Sequence, residues 1–150
     1  MAPNSGNIGS PITELAMQRR TITSSQAPAA IGPYSQAVAV GDWVLLSGQI
    51  PIDPRTGAVI VGDVESATRQ VMANLGAVLE AAGLTFDHVV KTTLYLTNMT
   101  DFAAVNAVYA EYFTQSPPAR ATVQVAALPR GATVEIDAIA YAIRSKNSGP

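Results

Sequence analysis

The sequence predicts one domain in which a broad sheet is covered by helices on one face only. Three observations carry this. Extended, β-branched segments and helical stripes follow one another in the order β-β-β-α-β-α-β-β. Two helices are too few to cover both sides of a sheet that wide. The 150 residues are 48% hydrophobic and only 13% charged, enough for a real core but too apolar for strands left open to water. The uncovered face therefore points to another subunit, and the chain is expected not to be a monomer.

The elements follow in order. Residues 1–20, rich in Pro, Gly, Asn and Ser, read as a flexible extension without the apolar core of a secretory signal. The domain is expected over residues 21–144, with 145–150 a loose tail. Ala37–Val40 and Trp43–Ser47 are apolar runs joined by Gly41-Asp42, a two-residue hairpin signal with glycine at the first central position. Asp53-Pro54-Arg55-Thr56-Gly57 is a turn. From Val64 to Ala82, apolar residues at 64, 67, 71, 75, 78, 79 and 82 make a helical stripe, with Asp63 as N-cap and Gly83 as stop. His88–Leu96 is rich in β-formers and predicts a strand. A second helix starts at a Thr100 or Asp101 cap, with Phe102, Val105, Tyr109, Tyr112 and Phe113 as candidate buried positions, and is expected to end at Pro117-Pro118.

Composition excludes several functions. The net charge is −2, and no basic run exceeds Arg19-Arg20, so no nucleic-acid footprint is present. No apolar run approaches the ~20 residues of a membrane span. With no cysteine and one histidine, thiol nucleophiles, disulfides and thiolate or histidine metal sites have nothing to build on. No metal site is expected. The expected location is the cytoplasm; Arg19 and Arg20 leave mitochondrial targeting open, against Glu14 and the lack of an amphipathic helix.

The richest stretch is Pro118 to Asp137. Two extended segments flank a Leu128-Pro129-Arg130-Gly131 turn, which predicts an antiparallel hairpin. Arg120 stands where the first strand begins, and Glu135 lies between Val134 and Ile136 in the second. A guanidinium at a strand mouth suits a carboxylate, because its planar fork makes two parallel charged hydrogen bonds. A carboxylate between apolar neighbours is a candidate general base. In the predicted hairpin Glu135 lies opposite Gln124, about four residues from Arg120, on the order of 13 Å at ~3.3 Å per residue. That is too far for one small molecule. Either the two are unrelated, or a site takes Arg120 from one subunit and Glu135 from another.

Four segments in order resemble the RidA/YjgF family of small imine deaminases: Ala30 to Ala37 (AIGPYSQA), Ser47 to Pro51 (SGQIP), Asp101-Phe102 through Val105-Asn106, and Pro118-Ala119-Arg120 through Val134-Glu135-Ile136. The likeness spans nearly everything from Ile22 to Arg144. It implies an α+β, chorismate-mutase-like fold, a mixed sheet with two helices on one face, assembled as a homotrimer with active sites between subunits. It implies hydrolysis of 2-imino acids such as 2-iminobutanoate and 2-iminopropanoate, reactive products of pyridoxal-phosphate-dependent dehydratases, without a cofactor in the protein itself. By matching position, Arg120 clamps the substrate carboxylate and Glu135 orients or deprotonates water. Ser47 and Gly48 supply backbone or hydroxyl hydrogen bonds, and Tyr34 and Asn106 line the cleft. Many bacterial members carry cysteine where this chain has Thr122, which removes any thiol chemistry but leaves imine hydrolysis intact.

Two further polar residues suit plainer roles. Asp137 shares a strand face with Glu135 and reads as structural; His88 reads as packing. Two other functions stay open beside imine hydrolysis. Endoribonuclease or translation inhibition lacks a basic groove and a second histidine for an acid/base pair. A ligand-sensing or chaperone-like trimer would need Arg120 but gives no reason for Glu135.

Overall fold

In the computed structural model, which describes residues 18–142, the strands are β1 (Arg19–Ile22), β2 (Ala37–Val40), β3 (Trp43–Gln49), β4 (Val89–Leu96), β5 (Ala119–Gln124) and β6 (Val134–Tyr141). The helices are α1 (Val64–Ala81) and α2 (Phe102–Ala110). The expected order of elements is the observed one. The extension and the tail lie outside the described residues, except that Arg19 and Arg20 already belong to β1.

One mixed sheet runs β1-β2-β3-β6-β4-β5. All neighbours are antiparallel except β4 and β5, which are parallel. This corrects the predicted hairpin: β5 and β6 do not pair, because β4 lies between them. A parallel β4–β5 pair needs a crossover, and the segment carrying α2 supplies it. The Leu128–Gly131 turn then leads across β4 to β6 rather than folding the chain back on β5.

The helix boundaries follow local chemistry. Asp63 Oδ1 accepts a hydrogen bond from the Glu65 amide and caps α1, and Gly83 at φ +75° turns the chain away after it. The buried stripe of Ala67, Val71, Met72, Leu75, Val78 and Leu79 lies on the sheet face formed by Val44, Leu46, Leu94, Leu96, Val134, Ile136 and Ala138. Each large aliphatic side chain removed from water there contributes ~1.5–3 kcal/mol. The second helix ends earlier than expected, at Ala110. Beyond it, Tyr112 and Phe113 make shorter-range backbone bonds to Tyr109 and Ala110, and their rings pack on Phe86. Aromatic docking ends this helix before the prolines are reached.

The other face has no helix on it. Trp43 and Leu45 on β3 are 48% and 47% exposed, and Val123 on β5 is 41% exposed, values unusual for large apolar strand residues. Register places Tyr141 and Ile139 beside Trp43 and Leu45, so the apolar band crosses the middle of the sheet. The covered face and the open face carry different halves of the expected site.

Candidate functional site

Register settles where Arg120 and Glu135 point. Arg120 pairs with Thr92, which is buried on the helix face and shares a 2.7 Å hydrogen bond with the hydroxyl of Tyr109 on α2. Glu135 pairs with Tyr95, three residues further along β4 and on the open face. The two groups are thus two strands apart, three residues out of step and on opposite sides of the sheet, roughly 14 Å by strand geometry. The separation argued from the hairpin stands, although the hairpin does not.

On the helix face the guanidinium is held from three sides. Arg120 Nη1 donates to Asn106 Oδ1 at 2.7 Å. The guanidinium carbon lies 5.0 Å from the ring centroid of Tyr109 and 5.5 Å from that of Phe102. Ring faces attract the cation by about 0.5–2 kcal/mol and fix its plane. Asn106 and Tyr109 can act together because they are three residues apart on one helix face. Burial pushes the Tyr109 hydroxyl above its ordinary pKa, against the pull of Thr92 and Arg120. Arg120, Asn106 and Tyr109 line a cleft of about 450 Å³ with Phe113, Pro117 and Pro118. Among the described residues Arg120 has no carboxylate partner.

On the open face a bulge positions the carboxylate. Between the Leu46–Ala138 and Gln49–Ile136 pairs, Ser47 and Gly48 together oppose Asp137, one residue more than the ladder needs. The extra residue brings the Gly48 backbone under Glu135: a Cβ on Gly48 would lie 2.9 Å from the Glu135 carboxyl carbon and Oε2. Burial, and secondarily the charge of Asp137, raise the Glu135 pKa above the ordinary carboxylate value. No hydrogen-bond donor is aimed at it from the described residues. A cleft of about 550 Å³ opens over it, lined by Tyr34, Ser47, Gly48, Ile50, Ile52 and Arg130 among others.

The predicted site residues therefore fall into two sets, Arg120 with Asn106, and Glu135 with Tyr34, Ser47 and Gly48. Tyr34 lines the cleft over Glu135 and Asn106 the cleft beside Arg120. Ser47 spends both donors internally, its hydroxyl on Ser35 O at 2.6 Å and its amide on Gln36 O. Gly48, without a Cβ, leaves room for the Glu135 side chain. The Tyr34 hydroxyl accepts from the Ile31 amide at 3.3 Å and keeps its own proton free to donate. Asn106 grips Arg120. Thr122 has a buried hydroxyl without a hydrogen-bond partner.

Sequence reasoning overlooked the rings under Arg120, although Tyr109 stands at helical spacing from Asn106. It also overlooked Arg130, which lines the Glu135 cleft at φ +57° and donates from Nη2 to Gly57 O at 3.1 Å. A non-glycine residue in that conformation costs about 1–2 kcal/mol. His88 is not packed as expected: its Nδ1 accepts from the Thr85 amide and caps a short turn before β4. Among the described residues no group of three His, Cys, Asp or Glu side chains could hold a metal ion, and no helix is long and apolar enough to cross a membrane.

The family model described as Endoribonuclease L-PSP matches residues 24–142. The chain belongs to this RidA/YjgF family. A RidA/YjgF relative from Myxococcus xanthus, Protein DfrA, is 62% identical over 126 residues, covering 83% of this chain and 96% of its own. The 2-iminobutanoate/2-iminopropanoate deaminase of Mus musculus is 53% identical over 122 residues, covering 81% of this chain and 90% of its own. The crystal structure of E. coli TdcF with bound serine matches with a TM-score of 0.78 and 42% identity, over 81% of this chain and 98% of that one. The expected mixed sheet with two helices on one face is thus the family's fold as well as this chain's.

Proposed function

We propose that this protein hydrolyses small 2-imino acids, such as 2-iminobutanoate and 2-iminopropanoate, to 2-oxo acids and ammonia, in clefts between the subunits of a homotrimer. The observation that carries the reading is a complementary pair left open. A fixed guanidinium without a carboxylate lies on one face, and a carboxylate with raised proton affinity and no donor lies on the other. A 2-imino acid has one group for each. Its carboxylate fits the Arg120 fork, and its electrophilic carbon needs only a water set beside a base. The naming of the mouse relative and the serine bound to TdcF, an amino acid with the same carboxylate-bearing carbon, favour the same ligand class.

The chemistry balances with these residues. Water adds its oxygen to the imine carbon while Glu135 takes one of its protons. The proton passes to the nitrogen of the resulting carbinolamine. As the carbinolamine hydroxyl gives its proton back to the Glu135 carboxylate, its oxygen forms the carbonyl, the carbon–nitrogen bond breaks with its electron pair going to nitrogen, and ammonia and the 2-oxo acid are released. A placed carboxylate contributes ~10²–10⁴-fold to such proton transfers.

The test is complementation between inactive subunits, read as decay of 2-iminobutanoate made in place by a threonine dehydratase. Arg120→Ala and Glu135→Gln should each be inactive alone. Refolded together at equal amounts, about a quarter of intersubunit sites regain both groups, so activity should return to about that fraction of wild type. Activity in either single variant removes that residue from the reaction. Inactive singles without recovery reject the shared site. Wild type that leaves the imine untouched rejects the deaminase reading.

A further inference from the structure

Glu135 does not stand alone on the open face. Asp137 is its next neighbour on that side of β6, two residues on and about 7 Å away along the strand. Tyr95, paired directly with Glu135 across β4, offers it no hydrogen bond. Its hydroxyl reaches diagonally and donates to Asp137 Oδ2 at 3.0 Å. The Tyr95 hydroxyl is thus committed to Asp137, and it helps fix the position of that charge. This bond, with burial, raises the Tyr95 pKa, so the hydroxyl keeps its proton across the range in which carboxylates titrate.

The other charged and titratable groups around Glu135 are few. β3 contributes Ser47, Gly48 and Gln49, none of them titratable in this range. β4 contributes Tyr95 and, two positions beyond Thr93, the amine of Lys91, whose register partner is Ile139. The cleft contributes the Tyr34 phenol and the Arg130 guanidinium, the latter tied to Gly57 O. Among the described residues Asp137 is the one negative charge on the strand face beside Glu135.

We propose that Asp137, anchored by the Tyr95 hydroxyl, is a positioning residue whose charge adds to the effect of burial and strengthens the hold of Glu135 on a proton. A base for imine hydrolysis must give back the proton it takes, and a carboxylate of ordinary acidity holds it too weakly near neutrality. A fixed like charge on the next same-face position strengthens that hold without touching the ligand. As a statement about catalysis this rests on the deaminase reading; as a statement about the carboxylate it does not.

The experiment is chosen to keep the two apart. The five glutamates of the full chain are labelled at the side-chain carboxyl carbon, and Glu135 is assigned by the signal lost in Glu135→Gln. Its titration midpoint is read by carbon NMR without substrate. Asp137→Asn should lower that midpoint by about 0.5–1 pH unit, the effect of removing one charge at ~7 Å in a partly screened site. Asp137→Thr, suited to a strand, makes the same test if the asparagine variant does not fold. Tyr95→Phe should lower it by less, because the charge stays but loses its anchor. An unmoved midpoint in the Asp137 variants overturns the proposal. A fall there with none in Tyr95→Phe removes the anchor from it. The midpoint is decided whether or not the protein turns over imines.

Discussion

Gly48→Ala separates stability from activity at one atom. The added Cβ would sit 2.9 Å from both Cδ and Oε2 of Glu135 and 3.1 Å from its Cγ. Ordinary contact needs about 3.5–4 Å, so the carboxylate must retreat by roughly 0.6–1 Å. The atoms that move are the far end of a flexible side chain, and the Gly48 backbone is not in the left-handed region. Removing a glycine also reduces the entropy of the unfolded chain, worth ~0.4–1 kcal/mol in favour of folding. The two effects nearly cancel, so thermal unfolding should shift by no more than ~2–4 °C in either direction. A misplacement near 1 Å of a reacting group costs on the order of 10²-fold. The assay is decay of 2-iminobutanoate beside a melting curve on the same preparation. Full activity with an unchanged melt refutes the argument that Glu135 acts from the position Gly48 permits. A collapsed melt refutes the argument that the clash is absorbed by the side chain alone.

Arg120→Lys should lower kcat/KM by about 10–10²-fold, because an ammonium cannot make the two parallel bonds of the fork, while the melt stays within ~0.5 kcal/mol of wild type. Asn106→Ala frees the guanidinium from its 2.7 Å tether and should raise KM about tenfold more than it lowers kcat, measured in the same imine assay. The raised pKa of Glu135 carries a definite sign for stability. A carboxyl that holds its proton more tightly when folded favours folding at low pH and loses that contribution as pH rises through the folded value. Glu135→Gln should therefore melt higher than wild type above that value, by about 1–3 °C, and the difference should vanish in acid.

Much of this architecture was legible in the residues because it depends on near neighbours. Asp63, the stripe through Val71, Leu75 and Val78, and Gly83 define α1 within one continuous segment. Gly41 at φ +57° fixes the β2–β3 turn in the same local way. The strand order was not legible. Nothing between Gln124 and Val134 says that the eight residues of β4, placed much earlier in the chain, will separate β5 from β6, and a proline-glycine turn looks the same in a hairpin and in a crossover. The site shows the same division. Arg120 and Glu135 were marked by residue type in an apolar setting, and Asn106 only by the family resemblance. Gly48 revealed its use only once the bulge brought it under Glu135, and Arg130 only once the turn placed it over the same cleft. Tyr95 could not be linked to Asp137 without the register.

The opposite orientation of Arg120 and Glu135 has a consequence for dilute protein. No ligand small enough to be gripped by one can touch the other within the same protomer. For any reaction that needs both, a lone chain is inert however well it is folded. Specific activity would then fall on dilution as subunits part, while the spectrum of the folded domain stays constant, and it would return on reconcentration. The output of such a protein would follow a power of its abundance rather than abundance itself, so a cell making twice as much near the assembly threshold would gain more than twice the work.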